Sequence, residues 1–137
     1  MKLILLIFFF QIFFFKLFAE ILVFKNCTSK EYDFEKNDYS LDIKKGIMTR
    51  EYIYTDETYE RLRMNDTRIE RKNTSTKGIA KVDGEIISEI SGYPAFYTQM
   101  IFDKKDLSIK IKTVLNNTEG VSLIAKCNNV INYKKES

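Results

Sequence analysis

The segment 95–115, AFYTQMIFDKKDLSIKIKTVL, constrains the fold more than any other part of the chain. Two runs of alternating apolar and polar residues flank the polar segment 103–106, and this pattern is typical of a β-hairpin with one buried face. We predict that Phe102 faces Leu107 across the loop, because a shift by one residue would place lysines on the buried side. The predicted inward face carries six apolar residues: Phe96, Met100, Phe102, Leu107, Ile109 and Ile111.

A hairpin of this kind is only marginally stable alone, so the rest of the chain must supply more strands. β-Prone runs are predicted over 21–28, 39–43, 47–55, 68–74, 77–82, 85–91 and 121–127. Turn signals at 44–46 and 83–84 join several of them. The pattern predicts an all-β fold, an antiparallel meander of about eight strands that forms a small barrel, with a two-sheet sandwich as the alternative.

Three segments are less regular than the main hairpin. Residues 56–64 begin with Asp56, which can cap a helix, and carry acids in the first turn and arginines near the end, which predicts a short helix. In the hairpin before that helix, two registers remain open. Pairing Ile43 with Ile47 turns Glu51 inward, whereas pairing it with Met48 turns Arg50 inward. The polar segment 29–38 is predicted to turn, with Tyr32 and Phe34 directed inward.

Residues 1–19, MKLILLIFFFQIFFFKLFA, have the basic start, apolar run and final small residue of a secretory signal peptide. We predict cleavage near Ala19, a single domain over 20–130 and a frayed tail over 131–137. The protein is then exported, to a periplasm or the extracellular space, and meets a membrane only during export. The alternative is an uncleaved anchor over 3–24, which would place Lys16 within the apolar stretch at a cost of about 2.5–3.5 kcal/mol.

Charge and composition exclude several classes of function. The chain has 22 basic and 19 acidic residues, and removal of Lys2 and Lys16 with the leader makes the balance almost neutral. No basic patch predicts nucleic-acid binding. Because the chain contains no His, Ser-His-Asp and Cys-His catalytic sites cannot be built. We find no cofactor, metal or nucleophile motif, so the sequence predicts no cofactor and leaves enzyme activity open but unsupported.

The two cysteines, Cys27 and Cys127, lie near the two ends of the predicted domain. In an exported chain, an even number of cysteines without metal-type spacing predicts a disulfide. This bridge would hold the first and last elements side by side. It also favours rolling the meander into a barrel. Two free thiols would require a reducing compartment, which the leader argues against.

Three further groups of residues are candidates for chemistry. The carboxylate pairs Asp56/Glu57 and Asp103/Asp106 suit a helix start and a solvated turn better than a Ca²⁺ or acid–base site. The tyrosines near the helix form a surface for stacking on sugars or bases, or simply cover the sheet: Tyr52, Tyr54 and Tyr59. Sequons for N-glycosylation in a eukaryotic host begin at Asn65, Asn73 and Asn116, and at Asn26 with Cys27 in the middle position.

The segments YSLDIKKGIMTREYIYTD (39–56) and LIAKCNN (123–129) resemble parts of small exported all-β proteins of AT-rich bacteria. This resemblance implies an exported β-domain and no particular activity. The shape of a small exported meander barrel is also similar to that of lipocalins. The chain has no Trp, however, so the Gly-x-Trp motif of the lipocalin first strand is absent.

Two classes of function follow from these patterns. The first is a binding module whose apolar interior, lined by the six residues of the main hairpin, holds a hydrophobic small molecule. The second is a packed structural or interaction protein of the cell envelope or extracellular space, whose outer tyrosine face meets an envelope partner or another copy of the chain. A cavity large enough for a ligand would favour the first class, and an exposed apolar patch the second.

Overall fold

The computed structural model describes residues 18–82, 84–88, 92–93 and 95–136. Most of the predicted leader, residues 1–17, lies outside this range, as do Asp83 and Pro94 of two predicted turns. Ten strands and one helix are described: β1 (Phe18–Lys25), β2 (Phe34–Asp42), β3 (Ile47–Tyr54), α1 (Asp56–Asn65), β4 (Lys72–Val82), β5 (Glu85–Ser88), β6 (Gly92–Tyr93), β7 (Phe96–Asp103), β8 (Ser108–Leu115), β9 (Thr118–Lys126) and β10 (Asn129–Glu136). The predicted all-β antiparallel class with one short helix is confirmed.

The strands form one path in the order β10-β1-β2-β3-β4-β5-β7-β8-β9, and β6 pairs with β7 beside it. The long strand β4 divides this path, because residues 72–78 pair with β3 and residues 79–82 pair with β5. We call β10, β1, β2, β3 and the start of β4 the first half-sheet, and the remaining strands of the path the second half-sheet. Side chains from both halves meet in one core.

The sheet described here does not close into the barrel that the sequence favoured. Only Cys127 and Asn128 separate β9 from β10, so the two ends of the path meet at this point. Beyond it, β10 pairs along β1 and not with β9. The arrangement agrees with the alternative, two packed layers joined by β4. The disulfide therefore brings the ends together without completing the ladder.

The core lies where the two half-sheets face each other. Phe24 of β1 contacts Phe102 of β7, with ring centroids 5.6 Å apart, and Tyr39 of β2 contacts the same ring at 5.8 Å. Phe24, Leu41 and Ile109 are completely buried. The other buried apolar members of this core are Leu22, Cys27, Tyr39, Met48, Ile79, Phe102, Ala125 and Cys127. Burial of these side chains is the main stabilising contribution to the fold.

The predicted register of the main hairpin is wrong by two residues. Phe102 pairs with Ile109, and Asp103 pairs with Ser108, so the loop is 104–107 instead of 103–106. Asp103 Oδ1 accepts the backbone N–H groups of Lys105 and Asp106, both at 3.0 Å, which makes Asp103 the residue that starts the turn. A shift of two leaves every strand residue on its predicted face, because side chains alternate with a period of two. Leu107 leaves the strand and joins the turn.

The β2–β3 hairpin follows neither of the two predicted registers, although its inward face is one of those considered. Leu41 pairs with Met48 and Tyr39 pairs with Arg50, around a turn formed by residues 43–46. Arg50 therefore lies on the inward face, as in the pairing of Ile43 with Met48, and Glu51 does not. Gly46 has φ +65°, a conformation that glycine adopts without steric cost.

Helix α1 is confirmed, but its cap is one residue earlier than expected. Thr55 Oγ1 accepts the backbone N–H of Thr58 at 3.3 Å, so Thr55 and not Asp56 is the N-cap. Two other expectations also differ from the structure. The runs 68–74 and 77–82 belong largely to the single strand β4 (Lys72–Val82), and residues 131–136 of the predicted frayed tail are paired with β1 in β10.

Candidate functional site

A cleft of about 440 Å³ opens at the seam between the two half-sheets. Its apolar wall combines Leu22 of β1 and Ile43 of the β2–β3 turn with Ile86 of β5 and Phe102 of β7. Ile86 and Phe102 are neighbours because β5 pairs with β7 at this point. The volume lies within the range of about 300–1,000 Å³ that is common for small-molecule pockets. The cleft is therefore a candidate binding site.

Charged residues of both signs form the mouth of the cleft: Glu20, Lys81, Glu85, Asp103, Lys104 and Lys105. Two of these carboxylates already have partners. Glu20 Oε1 accepts a hydrogen bond from Asn132 at 3.2 Å, and Asp103 Oδ2 lies 3.2 Å from Lys110 Nζ. The backbone N–H of Asp106, followed by Lys110, lowers the pKa of Asp103 below its usual value. The mouth thus combines lysine ammonium groups with carboxylates that are held in hydrogen bonds.

The structure distributes the six predicted lining residues along the main hairpin. Phe102 and Ile109 are buried in the core, and Met100 packs against it. Phe102 also lines the cleft, the only one of the six to do so among the described lining residues. Leu107 is half-buried in the turn, with φ +51°, and Ile111 is half-buried in β8. Phe96, at the far end of β7, is 48% exposed. Sequence alternation identified the face but not how far the opposite half-sheet covers it.

A second group of residues lies on the inward face of the first half-sheet, beyond the core. The guanidinium of Arg50 stacks on Tyr52 at 4.3 Å from the ring centroid, and lies 5.3 Å from the centroid of Phe34. Arg50 Nε donates to Asn37 Oδ1 at 2.8 Å, and the buried Asn37 donates in turn to the carbonyl of Cys27 at 2.9 Å. The inward Arg50 is thus held by hydrogen bonding and by cation–π contacts.

The tyrosines that the sequence singled out are divided between this group and the helix. Tyr54 stacks on Phe34 at 5.3 Å and contacts Tyr52 edge-on at 5.3 Å. Burial, followed by the neighbouring Tyr52, raises the pKa of Tyr54 to about 12. Tyr32 contacts both Phe34 and Tyr54, in agreement with the predicted inward direction of Tyr32 and Phe34. Tyr59 lies apart on the helix, where Arg63 stacks on it.

A smaller cavity of about 190 Å³ lies beside this aromatic group and the disulfide. It is lined by Tyr32, Phe34 and Asn37 together with residues 26–29, Asp33 and Glu35. Both polar ends of the Asn37 amide are already used, by Arg50 and by the Cys27 carbonyl. The stacking surfaces in this group face one another, so the cluster serves the fold.

The two carboxylate pairs have structural partners. Asp56 lies 3.1 Å from Arg71 at the start of the helix. Asp103 and Asp106 both contact Lys110 Nζ, at 3.2 and 3.1 Å, across the turn of the main hairpin. Within the described residues, no group of three or more acidic or cysteine side chains is arranged to hold a metal ion. These contacts agree with the assignment of the pairs to a helix start and a turn.

The predicted bridge between Cys27 and Cys127 is present, with Cα atoms 3.9 Å apart. The adjoining backbone supports it, since Thr28 N–H donates to the Lys126 carbonyl at 2.7 Å. On the other side, Cys127 N–H donates to the Leu107 carbonyl at 2.7 Å. The bridge therefore ties the start of the domain to both the turn of the main hairpin and the end of β9.

The predicted sequons differ in their surroundings. Asn65 ends the helix and is exposed, and Asn116 is exposed in the β8–β9 turn with φ +47°. Asn26 is also exposed, beside Cys27 of the bridge. The side chain of Asn73 is half-buried, and its Nδ2 donates to the Glu70 carbonyl at 2.7 Å. An oligosaccharyltransferase would meet a free amide more readily at Asn65 and Asn116 than at Asn73.

The fold and the cleft define an open antiparallel β-sheet domain stapled by one disulfide, with a seam that exposes part of its apolar interior. A search of protein-family models, of curated proteins and of solved structures found no match to this chain. Over the residues that the structure describes, no helix has the length and apolar character needed to cross a membrane. The strand β1 extends to Lys25, and two of its apolar residues, Leu22 and Phe24, pack in the domain core.

Proposed function

We propose that the protein is an exported binding module that takes a hydrophobic small molecule with a polar end into the seam cleft. The observation that carries this proposal is the cleft itself, whose apolar wall contains Leu22, Ile43, Ile86 and Phe102. Leu22 and Phe102 are already buried, so an apolar group seated there would remove the half-buried Ile43 and Ile86 from water. Burial of apolar surface contributes about 25 cal/mol per Å². The lysines at the mouth, Lys81, Lys104 and Lys105, suit an anionic head group.

Export to a periplasm or to the extracellular space is part of the same proposal. The disulfide supports it, because such bridges persist in oxidising compartments. The leader-like composition of residues 1–19 supports it as well. The intact mass of the protein recovered from its native compartment tests both points. We expect the mass of a chain that begins near Glu20 and lacks two hydrogens, and a mass that includes residues 1–18 would contradict cleavage.

Ligand binding is tested by titrating the folded protein with an anilinonaphthalene sulfonate dye, an apolar probe with an anionic group. We expect saturable binding and a rise in melting temperature, because a ligand at 100 times its Kd stabilises the native state by about 2.7 kcal/mol. Ile43→Lys should abolish binding, since Ile43 is half-buried in the cleft wall. Ile47→Lys is the matched control, because Ile47 follows the same turn, is exposed and does not line the cleft.

A second candidate function is a packed interaction protein with an envelope or extracellular partner. The specific observation in its favour is that the centre of the interior is filled, with Phe24, Leu41 and Ile109 fully buried. Several large apolar side chains are instead exposed on the second half-sheet: Phe96, Leu115, Val121 and Leu123. Absence of dye binding to the unmodified protein, with near-UV dichroism showing a packed fold, would reject the cleft proposal and favour this alternative. Equal binding to both lysine variants would place the dye elsewhere.

A further inference from the structure

Lys81 is a charged residue on the inward face of β4, the face that carries the buried Ile79 two positions earlier. Lys81 pairs with Ile86 of β5, and Ile86 pairs in turn with Phe102 of β7. Phe102 then pairs with Ile109 of β8. Because paired residues of adjacent strands project to the same side of a sheet, these side chains form one row across the second half-sheet.

Burial increases steadily along this row. Lys81 is exposed and Ile86 is half-buried, whereas Phe102 is 4% exposed and Ile109 is completely buried. Neighbouring strands lie about 4.8 Å apart, so the backbone of Lys81 is about 10 Å from that of Phe102. The first three members of the row, Lys81, Ile86 and Phe102, line the seam cleft. The cleft thus has a cationic end in water and an apolar end at the core, which matches an anionic head group followed by an apolar chain.

The carboxylates at the mouth do not occupy this position. Glu20 Oε1 accepts a hydrogen bond from Asn132, and both oxygens of Asp103 are used, by backbone N–H groups of its turn and by a lysine. Glu85 lies on the opposite face of β5 from Ile86, because side chains alternate along a strand. Within the described residues, no ion pair engages the ammonium group of the inward lysine.

We infer that Lys81 is the residue that selects the head group in the seam cleft, and that the ligand is a long-chain carboxylate. This inference rests on the proposed binding of an amphiphile in that cleft. A lysine ammonium carries one positive charge and three donors, which match a monoanionic carboxylate. A dianionic head would leave a second charge unbalanced beside the apolar wall, at a cost in free energy. Lys104 and Lys105 lie in the exposed turn and not on the inward face, so an ion pair there contributes little.

Calorimetric titration of the folded protein with three probes of equal chain length tests the assignment: dodecanoate, 1-dodecanol and dodecyl phosphate at pH 8. We expect dodecanoate to bind at least tenfold more tightly than dodecanol, and the phosphate to bind no more tightly than dodecanoate. Lys81→Met should remove the advantage of dodecanoate and leave the Kd of dodecanol unchanged. Lys77→Met is the matched control, because Lys77 is exposed on the same face of β4 and is absent from the described cleft lining. It should change neither Kd, and the double variant Lys104→Met/Lys105→Met should change them less than threefold.

Lysine acetylation of the unmodified protein keeps the test decisive if Lys81→Met folds poorly. Saturating dodecanoate should slow acetylation of Lys81 and leave that of Lys77 unchanged, and equal rates with and without dodecanoate would overturn the assignment.

The outcomes separate this inference from the proposed function. Binding of dodecanol as tight as that of dodecanoate, or an advantage that survives Lys81→Met, would overturn the inference while the cleft remains a binding site. Tenfold tighter binding of the phosphate would overturn the carboxylate class. Self-association of Lys81→Met with unchanged affinity for dodecanoate would also overturn the inference, because the lysine would then only protect the strand edge at residues 79–82. Absence of binding by all three probes and by the dye would reject both the inference and the proposed function.

Discussion

Phe96 and Phe102 provide a direct test of where the interior ends, because they occupy the same face of the same strand. Phe102 is 4% exposed and contacts two aromatic rings, whereas Phe96 is 48% exposed. Truncation of a buried Phe to Ala typically costs about 3–5 kcal/mol. The contacts with Phe24 and Tyr39 contribute about 0.5–1.5 kcal/mol each beyond burial. For Phe102→Ala we expect a loss near the lower end, about 3 kcal/mol, because water already reaches the adjacent cleft.

For Phe96→Ala, the matched control, we expect a loss below about 1 kcal/mol, since half of its surface is already in water. Urea unfolding followed by far-UV circular dichroism measures both losses. The slope is about 1–3 kcal/mol per M, so a 3 kcal/mol loss lowers the midpoint by about 1–3 M. Equal losses for the two variants would refute the packing described here. A larger loss for Phe96→Ala would mean that the packed interior lies at the Phe96 end of β7 and not at the Phe102 end.

The remaining predictions concern the bridge and one half-buried phenol, that of Tyr54. Replacing Cys27 and Cys127 together by Ala should reduce the free energy of unfolding by about 2–5 kcal/mol, because the bridge closes a loop of 100 residues. Chemical denaturation, with and without reductant, measures this loss. An unchanged denaturation midpoint would contradict the prediction. The pKa of Tyr54 is raised to about 12, so its stabilising contribution is complete below pH 10 and is lost as the pH rises from 10 to 12. Burial also raises the pKa of Tyr39, so absorbance titration should show more than one late phenol, one of which disappears in Tyr54→Phe. No change in the titration curve would contradict the assignment.

The sequence indicated the secondary structure of the main hairpin because its information is local. Alternation placed Phe102 and Ile109 on the buried face, and no error of two residues could move them off it. The position of the loop could not be predicted from alternation alone. It depends on hydrogen bonds from Lys105 and Asp106 to the Asp103 carboxylate, and on the bond from Cys127 to Leu107, a residue 20 positions away.

The cleft could not be predicted from sequence patterns for a related reason. Its wall combines Leu22, Ile43 and Ile86, which belong to three separate segments and show no common motif. Likewise, the grouping of Arg50 with Phe34 and Tyr52 required the β2–β3 register, for which the sequence left two alternatives. The one helpful signal in the sequence was the aromatic enrichment of 52–54. It indicated that these side chains cover the sheet, but not which residues they contact.

The sequence by itself determined the antiparallel class, the helix after β3 and the pairing of the two cysteines, because alternation, capping residues and cysteine count depend on near neighbours or on chemistry alone. Only the tertiary structure decided that the sheet stays open. The chain has just two residues between β9 and β10, and at that point β10 pairs with β1 instead of completing the ladder with β9. That choice depends on how the two half-sheets pack around Phe24 and Phe102, and packing between distant segments leaves no periodic trace in the sequence.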